Sequence, residues 1–243
     1  MNRDGSASVR LLQTLPGPGT QQFLRLALCG QPCSEAMAGQ YCVLSQRTEC
    51  WPCSYVSLPG VAGQFIVSTH HAQPLGHAGD RFDYSGPLGS AWPLPLQSAK
   101  LLAISRADGL LPLLGALDEI GCWLPWVQLK LSHDGIAAEL LPDDCRTWLS
   151  ALPPLPRDYS GWLQTRHLLT TFRPDTVYCC APPQVARQVA RLCWQAGVAP
   201  QRIWIRTDHV PRPIGVAPSE SWPVQRYDRV LAALKWAPPG GSG

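Results

Sequence analysis

Near Pro95 the hydrophobic pattern of this chain changes period, and that change constrains the fold more than any other feature. Before it, short apolar runs are separated by turn residues. FLRLAL (23–28), QYCVLS (40–45), SYVSL (54–58) and QFIVST (64–69) are each rich in strand-forming residues and bounded by Gly, Pro or Cys. GDRFDYSGPLG (79–89) continues the series. Strands this close, with no helical stretch between them, predict an antiparallel barrel or sandwich. After it, strand and helix patterns alternate. KLLAIS (100–105), WVQLKLS (126–132), DTVYCC (175–180) and RIWIRT (202–207) read as strands. LPLLGALDEIG (111–121) and APPQVARQVARLCWQAG (181–197) read as helices that end at glycine. Such alternation predicts a parallel sheet with helices on its faces.

Four segments are therefore expected: a polar leader over 1–19, a β-barrel over 20–97, an α/β domain over 98–210 and a proline-rich tail over 211–243, with one short apolar stretch at 227–236. AAELLPDDCRTWLSAL (137–152) has a mixed pattern. The 25 prolines and 21 glycines suit strands joined by turns. Only 15% of residues are charged, which argues against long solvated helices, and 45% are apolar, which excludes intrinsic disorder. A net charge of +3, with Lys and Arg scattered, gives no footprint for nucleic acid. No run of apolar residues is long enough to cross a bilayer, and the N-terminus lacks the apolar centre of a secretory signal. A cytoplasmic protein is expected, with most of its ten cysteines as thiols.

Several local motifs add a resemblance. AGQYCVL (38–44) resembles a PGQYVxL strand, and SGPLGSAW (85–92) a GPLGxGF turn. LLAISRADGLLPLL (101–114) resembles a strand, glycine loop and helix, and VYCCAPPQVARQVARL (177–192) a CGPxxM strand-to-helix turn. In this order they resemble the ferredoxin-NADP reductase family. The resemblance implies a six-stranded flavin-binding barrel, a parallel-sheet nucleotide-binding domain, FAD or FMN, NAD(P)H, and electron transfer to a redox protein or larger complex.

It also implies site residues. WPCSYVSLP (51–59) matches the flavin motif RxYSxxS at Ser54, Ser57 and Pro59. Trp51 stands in place of the phosphate-binding arginine and Cys53 in place of the ring-stacking tyrosine, so a bidentate charged clamp is lost. Cys53, Ser54, Val56 and Ser57, with the Gly86, Pro87, Leu88 and Gly89 turn, are the expected flavin contacts. Ser54 would lie at the ring's reactive nitrogen. His70, His71 or His77 would meet a phosphate, or form a solvated turn. In the nucleotide loop SRADGLLP (105–112) only Gly109 and Pro112 keep the family's pattern, and Arg106 is a candidate phosphate donor; an ordinary strand-to-helix turn is the alternative. Cys180 would border the nicotinamide beside Pro182, or serve as plain core. Ser54 and Cys180 are the expected catalytic pair.

Cys29, Cys33, Cys50 and Cys53 form a rival set of two close thiol pairs that could hold a zinc ion, and CWPC (50–53) resembles an exchange pair. Half-buried structural thiols are the third reading. No cysteine follows Cys193, so the C-terminal [2Fe–2S] loop of some relatives is not expected. Trp222 and Trp236, in the tail, are candidate partner anchors. Two functions remain open: a flavoprotein passing electrons from NAD(P)H to a partner, or a non-catalytic structural or regulatory subunit of an electron-transfer complex.

Overall fold

The computed structural model describes residues 7–17, 19–30, 35–60, 63–134, 161–207 and 224–236. Six strands come first: β1 (Ala7–Pro16), β2 (Gln21–Cys29), β3 (Tyr41–Gln46), β4 (Glu49–Tyr55), β5 (Gln64–His70) and β6 (Arg81–Leu88). They close into an antiparallel barrel in the order β1-β2-β5-β4-β3-β6. Alternation drives this. Val9 and Leu11 on β1, Leu24 and Leu26 on β2, and Phe65 and Val67 on β5 all turn into one fully covered interior.

The second unit begins with β7 (Lys100–Ser105), a single 3-10 turn (Ala107–Leu110) and α1 (Leu111–Trp123). There follow β8 (Gln128–His133), α2 (Gly161–Thr171), β9 (Thr176–Cys180), α3 (Pro183–Gln195), β10 (Ile203–Arg206), β11 (Val224–Arg226) and α4 (Tyr227–Trp236). The sheet runs β11-β10-β9-β7-β8, parallel except at β11. The central runs LLAI and VYC are buried on both faces, which explains their unbroken apolar text. On one face, α2, α3 and α4 bury Leu169, Val189, Cys193 and Tyr227. On the other, α1 lies between the sheet and the barrel.

The two units share a core. Phe23, Ala38, Val56 and Trp92 pack with Leu113, Leu117 and Tyr178. Trp92 is the pin: its ring stacks on Tyr178 at 5.0 Å between centroids, and its Nε1 donates to the Pro112 carbonyl at 2.9 Å. Stacking of this kind adds about 0.5–1.5 kcal/mol beyond burial. Gly39, at φ 94°, leaves room for the pin; a Cβ there would stand 2.6 Å from the indole.

Three sequence expectations change. The supposed leader contains β1, whose inward Val9 and Leu11 are masked in the text by outward polar residues and by a register irregularity between Leu11 and Gln13. The supposed tail contributes β11 and α4 to the second unit. β4 starts at Glu49, so CWPC lies within a strand and not before one. Residues 137–152, Cys33 and Trp222 lie outside the described residues.

Candidate interdomain site

In an open α/β sheet the ligand crevice forms at the carboxyl ends of the strands, where the connections change direction. Here that point is β7, because the chain steps to β8 on one side and returns to β9 on the other. The carboxyl ends of β7, β9 and β10 do bring together Arg106, Gly109, Cys180, Pro182 and one residue that belongs to no motif, Arg206. The barrel supplies Ser54 opposite them.

Arg206 defines the geometry. It is fully buried, yet it reaches across to the barrel: Nη1 donates to the Gly39 carbonyl at 2.6 Å and Nη2 to Ser54 Oγ at 3.0 Å. Ser54 itself has no exposed surface. Strand alternation accounts for the meeting. Cys53 and Tyr55 face the barrel interior, so Ser54 faces outward, toward the second unit. The motifs gave no sign of Arg206; the only textual cue was a charge at the end of an apolar strand.

The nucleotide loop is closed in the same way. The Gly109 Cα packs on the end of β9 so tightly that a Cβ would come within 2.1 Å of the Cys180 carbonyl oxygen. Arg106 N–H donates to that same oxygen at 3.0 Å. The Arg106 side chain turns inward: it donates to the Ser105 and Ser132 carbonyls at 2.6 and 3.1 Å, to Thr165 Oγ1 at 2.6 Å and to the Gly161 carbonyl. Its Nε lies 3.2 Å from Asp134 Oδ1, an ion pair rather than an aligned hydrogen bond. Burial pulls the guanidinium below its ordinary pKa, and Asp134 draws it back up. Both terminal nitrogens thus donate to protein oxygens.

The remaining expected residues fall as follows. Cys180 is fully buried in the shared core, and Pro182 is half-buried at the start of α3. Pro112 opens α1 and carries the carbonyl that receives Trp92. Val56 is buried against α1, and Ser57 Oγ accepts from Ile66 N–H at 2.9 Å, which ties β4 to β5. Cys53 is corrected: its thiol lies inside the barrel opposite Cys42, not on the interdomain face. Gly86 stands where a Cβ would meet Cys42 Cβ at 2.8 Å and the Tyr55 and Tyr84 hydroxyls at 2.9 Å. Those hydroxyls hydrogen-bond each other, and burial raises the Tyr55 pKa. Pro87 and Leu88 are half-buried, and the Gly89 carbonyl accepts from Gln40 Nε2 at 2.9 Å.

Trp51 packs edge-on against His71 and Phe82. The histidine loop is folded onto the barrel, with Gln22 Nε2 donating to the carbonyls of His71 and Gln73 at 2.8 and 2.6 Å. Of the rival thiol set, Cys33 lies outside the described residues, and Cys50 and Cys53 do not face one point. Cys50 is exposed and Cys53 is interior, three positions apart on β4 and so on opposite faces. Among the described residues no helix is long and apolar enough to cross a membrane.

A closed six-stranded antiparallel barrel, followed by a mostly parallel sheet wrapped by helices, is the fold of the ferredoxin-NADP reductase family. The chain is similar to the FAD/NAD-binding domain of nitric oxide dioxygenase from Vibrio cholerae (TM-score 0.66, 15% identity, 87% of this chain and 100% of that one). It is similar to a ferredoxin NADP+ reductase from Neisseria gonorrhoeae with bound FAD and NADP (0.63, 14%, 83% and 98%). It also resembles an Amycolatopsis cytochrome P450 reductase (0.64, 19%, 85% and 70%). No family model matches the sequence, and no curated protein matches it.

The fold implies a flavin and a nicotinamide dinucleotide, and the residues present do not fit them. The serine that would meet the flavin ring is covered by Arg206. The glycine that would let a pyrophosphate approach is pressed on a protein carbonyl.

Proposed function

We propose that this chain is a reductase-fold subunit of an electron-transfer complex that works without a flavin or dinucleotide of its own, as a cytoplasmic structural or regulatory component. The observation that carries this reading is the Arg206–Ser54 contact. It joins the two units with a buried cation on Ser54, the serine that the motif resemblance assigns to the flavin ring. Three further features support it. Trp51 offers no charge to a phosphate, the Arg106 guanidinium is bound to five protein oxygens, and Gly109 holds backbone to backbone. The reductases of similar fold pass electrons to partners, and the partner role is the part of that activity this chain can keep.

The test is cofactor uptake by the purified full chain. It is expected to be colourless, and to retain neither FAD nor FMN after equilibrium dialysis against an excess of each. A yellow preparation, or binding near one flavin per chain, would refute the proposal and restore the flavoprotein reading. In that case Ser54 and Cys180 are the residues to examine at the reacting ring.

A further inference from the structure

A second feature lies on the far side of the sheet from the barrel. α2 (GWLQTRHLLTT) and α3 (PQVARQVARLCWQ) contain arginines but no carboxylate. Arg166, Arg187 and Arg191 are all exposed, and among the described residues none of them is in an ion pair. The acids of the described structure are elsewhere or already matched. Asp118 and Glu119 are on α1, across the sheet, and Asp228 holds Arg226 at 2.7 Å.

Between the two helices runs an open groove of about 360 Å³, lined by Trp162 and Arg166 on one wall and Gln188, Arg191, Leu192 and Gln195 on the other. Its walls are chemically graded. Trp162 and Leu192 give each wall an apolar surface, the two arginines give charge on opposite sides, and the two glutamines offer amides that can pair with a peptide backbone. Gln188 and Gln195 are seven residues apart on α3, about 10 Å, the span of roughly three residues of extended chain. Trp162 also meets Arg106, whose guanidinium carbon stands over the ring at 6.0 Å from its centroid. A tryptophan flanked by arginines is the composition that dominates binding energy at interfaces.

We propose that the α2–α3 groove docks an acidic, leucine-bearing peptide segment of a partner protein, its carboxylates meeting Arg166 and Arg191 and its leucine resting on Trp162 and Leu192. The occupant follows from charge complementarity. A free phosphate is disfavoured by the geometry, because the two arginines stand on opposite walls and the α3 lining residues have their backbone N–H groups already engaged within the helix. The proposal is independent of whether the barrel takes up a flavin.

The probe is a fluorescein-labelled peptide of glutamates with a leucine at every fourth position, titrated with the full chain by fluorescence anisotropy at low salt. Binding is expected, and it should weaken at least about tenfold in the R166E/R191E double variant, with a comparable loss on raising salt past the Debye-screening range. R81E, on the barrel, should bind as the wild type does. Amide exchange on the wild type should slow over 161–171 and 183–195 when the peptide is added, a readout that needs no variant to fold. The proposal falls if R166E/R191E binds the peptide unchanged, or if a lysine-for-glutamate version binds equally well. It also falls if protection appears elsewhere. Displacement of the peptide by inorganic pyrophosphate at near-stoichiometric concentration would make the groove a small-anion site and overturn it too.

Discussion

Gly109→Ala separates two roles for one glycine. If the loop exists to admit a pyrophosphate, a methyl group there disturbs ligand binding and little else. In the structure the added Cβ meets the Cys180 carbonyl oxygen at 2.1 Å, its carbon at 2.6 Å and the Cys180 Cβ at 3.2 Å. The obstacle is backbone in a central strand, so it cannot swing away as a side-chain tip would. Restoring van der Waals contact requires about 1 Å of movement between the 3-10 turn and β9 in an interior that is already close-packed. That movement also stretches the Arg106 N–H bond to the same oxygen. Overpacking of this kind costs about 1–3 kcal/mol, and loss of the hydrogen bond adds about 1, so a loss of about 3 kcal/mol is expected. For a chain of this length that lowers the melting temperature by roughly 10 °C. Circular dichroism melts and urea titrations read it directly. Gly121→Ala is the control: nothing lies within 4 Å of its Cβ, it sits in the last turns of α1, and it should stabilise by about 0.5–1 kcal/mol. A Gly109→Ala protein melting within a degree or two of the wild type would refute the packing role and reopen the loop to a phosphate.

Arg206→Met keeps the length of the side chain but leaves Ser54 Oγ and the Gly39 carbonyl without this donor, for an expected loss of about 2–4 kcal/mol in urea titrations; a loss under about 0.5 kcal/mol would show that the arginine does not join the two units. Burial pushes the Cys193 thiol up to about 12, so the unfolded chain gives up that proton first. Stability should be whole below the ordinary thiol range and fall by about 1.4 kcal/mol per pH unit as pH rises from there toward 12, and a Cys193→Ala variant should flatten the slope; equal slopes in the two proteins would contradict the burial. With iodoacetamide, Cys50 and Cys122 should label first, while Cys42, Cys53, Cys179, Cys180 and Cys193 wait for unfolding. Peptide mapping that finds Cys53 labelled as fast as Cys50 would contradict its place inside the barrel.

The architecture was legible because it is written in periods. KLLAIS reads as a strand covered on both faces and is one, and QFIVST reads as a strand and is one, but it too is covered on both faces from Phe65 to Thr69, because Ile66 faces the second unit while Phe65 and Val67 face the barrel interior. β1 was hidden because an outward-facing strand edge of a small barrel is polar, and ASVRLLQTLP reads as a loop unless Val9 and Leu11 are seen as a pair. α2 was hidden for the opposite reason: its buried face holds Gln164 and Thr165, and Thr165 belongs to the Arg106 network, so no apolar stripe marks it. The site was the least legible part. A motif registers which residue types survive, and Ser54 and Gly109 do survive, but a hydroxyl or a missing Cβ serves a protein partner as readily as a cofactor. What decides between them is the group on the other side, and Arg206 lies 152 positions away from Ser54.

That separation also explains why the two halves cannot be treated as loosely tethered. In a reductase that cycles ligands, the face between barrel and sheet must admit a ring and a dinucleotide, so the side chains there are held in part by what they bind. Here protein contacts span the face: Trp92 between Gly39, Pro112 and Tyr178, α1 against Val56 and Ala38, and Arg206 on Ser54 and Gly39. Each contact joins residues far apart in sequence. Their loss-of-stability effects should therefore not be additive, because removing one loosens the geometry that the others need. A double-mutant cycle on Trp92→Phe and Arg206→Met is expected to show a coupling of about 1 kcal/mol through their common neighbour Gly39. Strict additivity would mean that the interdomain face is a set of independent contacts, and would count against the proposed reading of that face as a single joined unit.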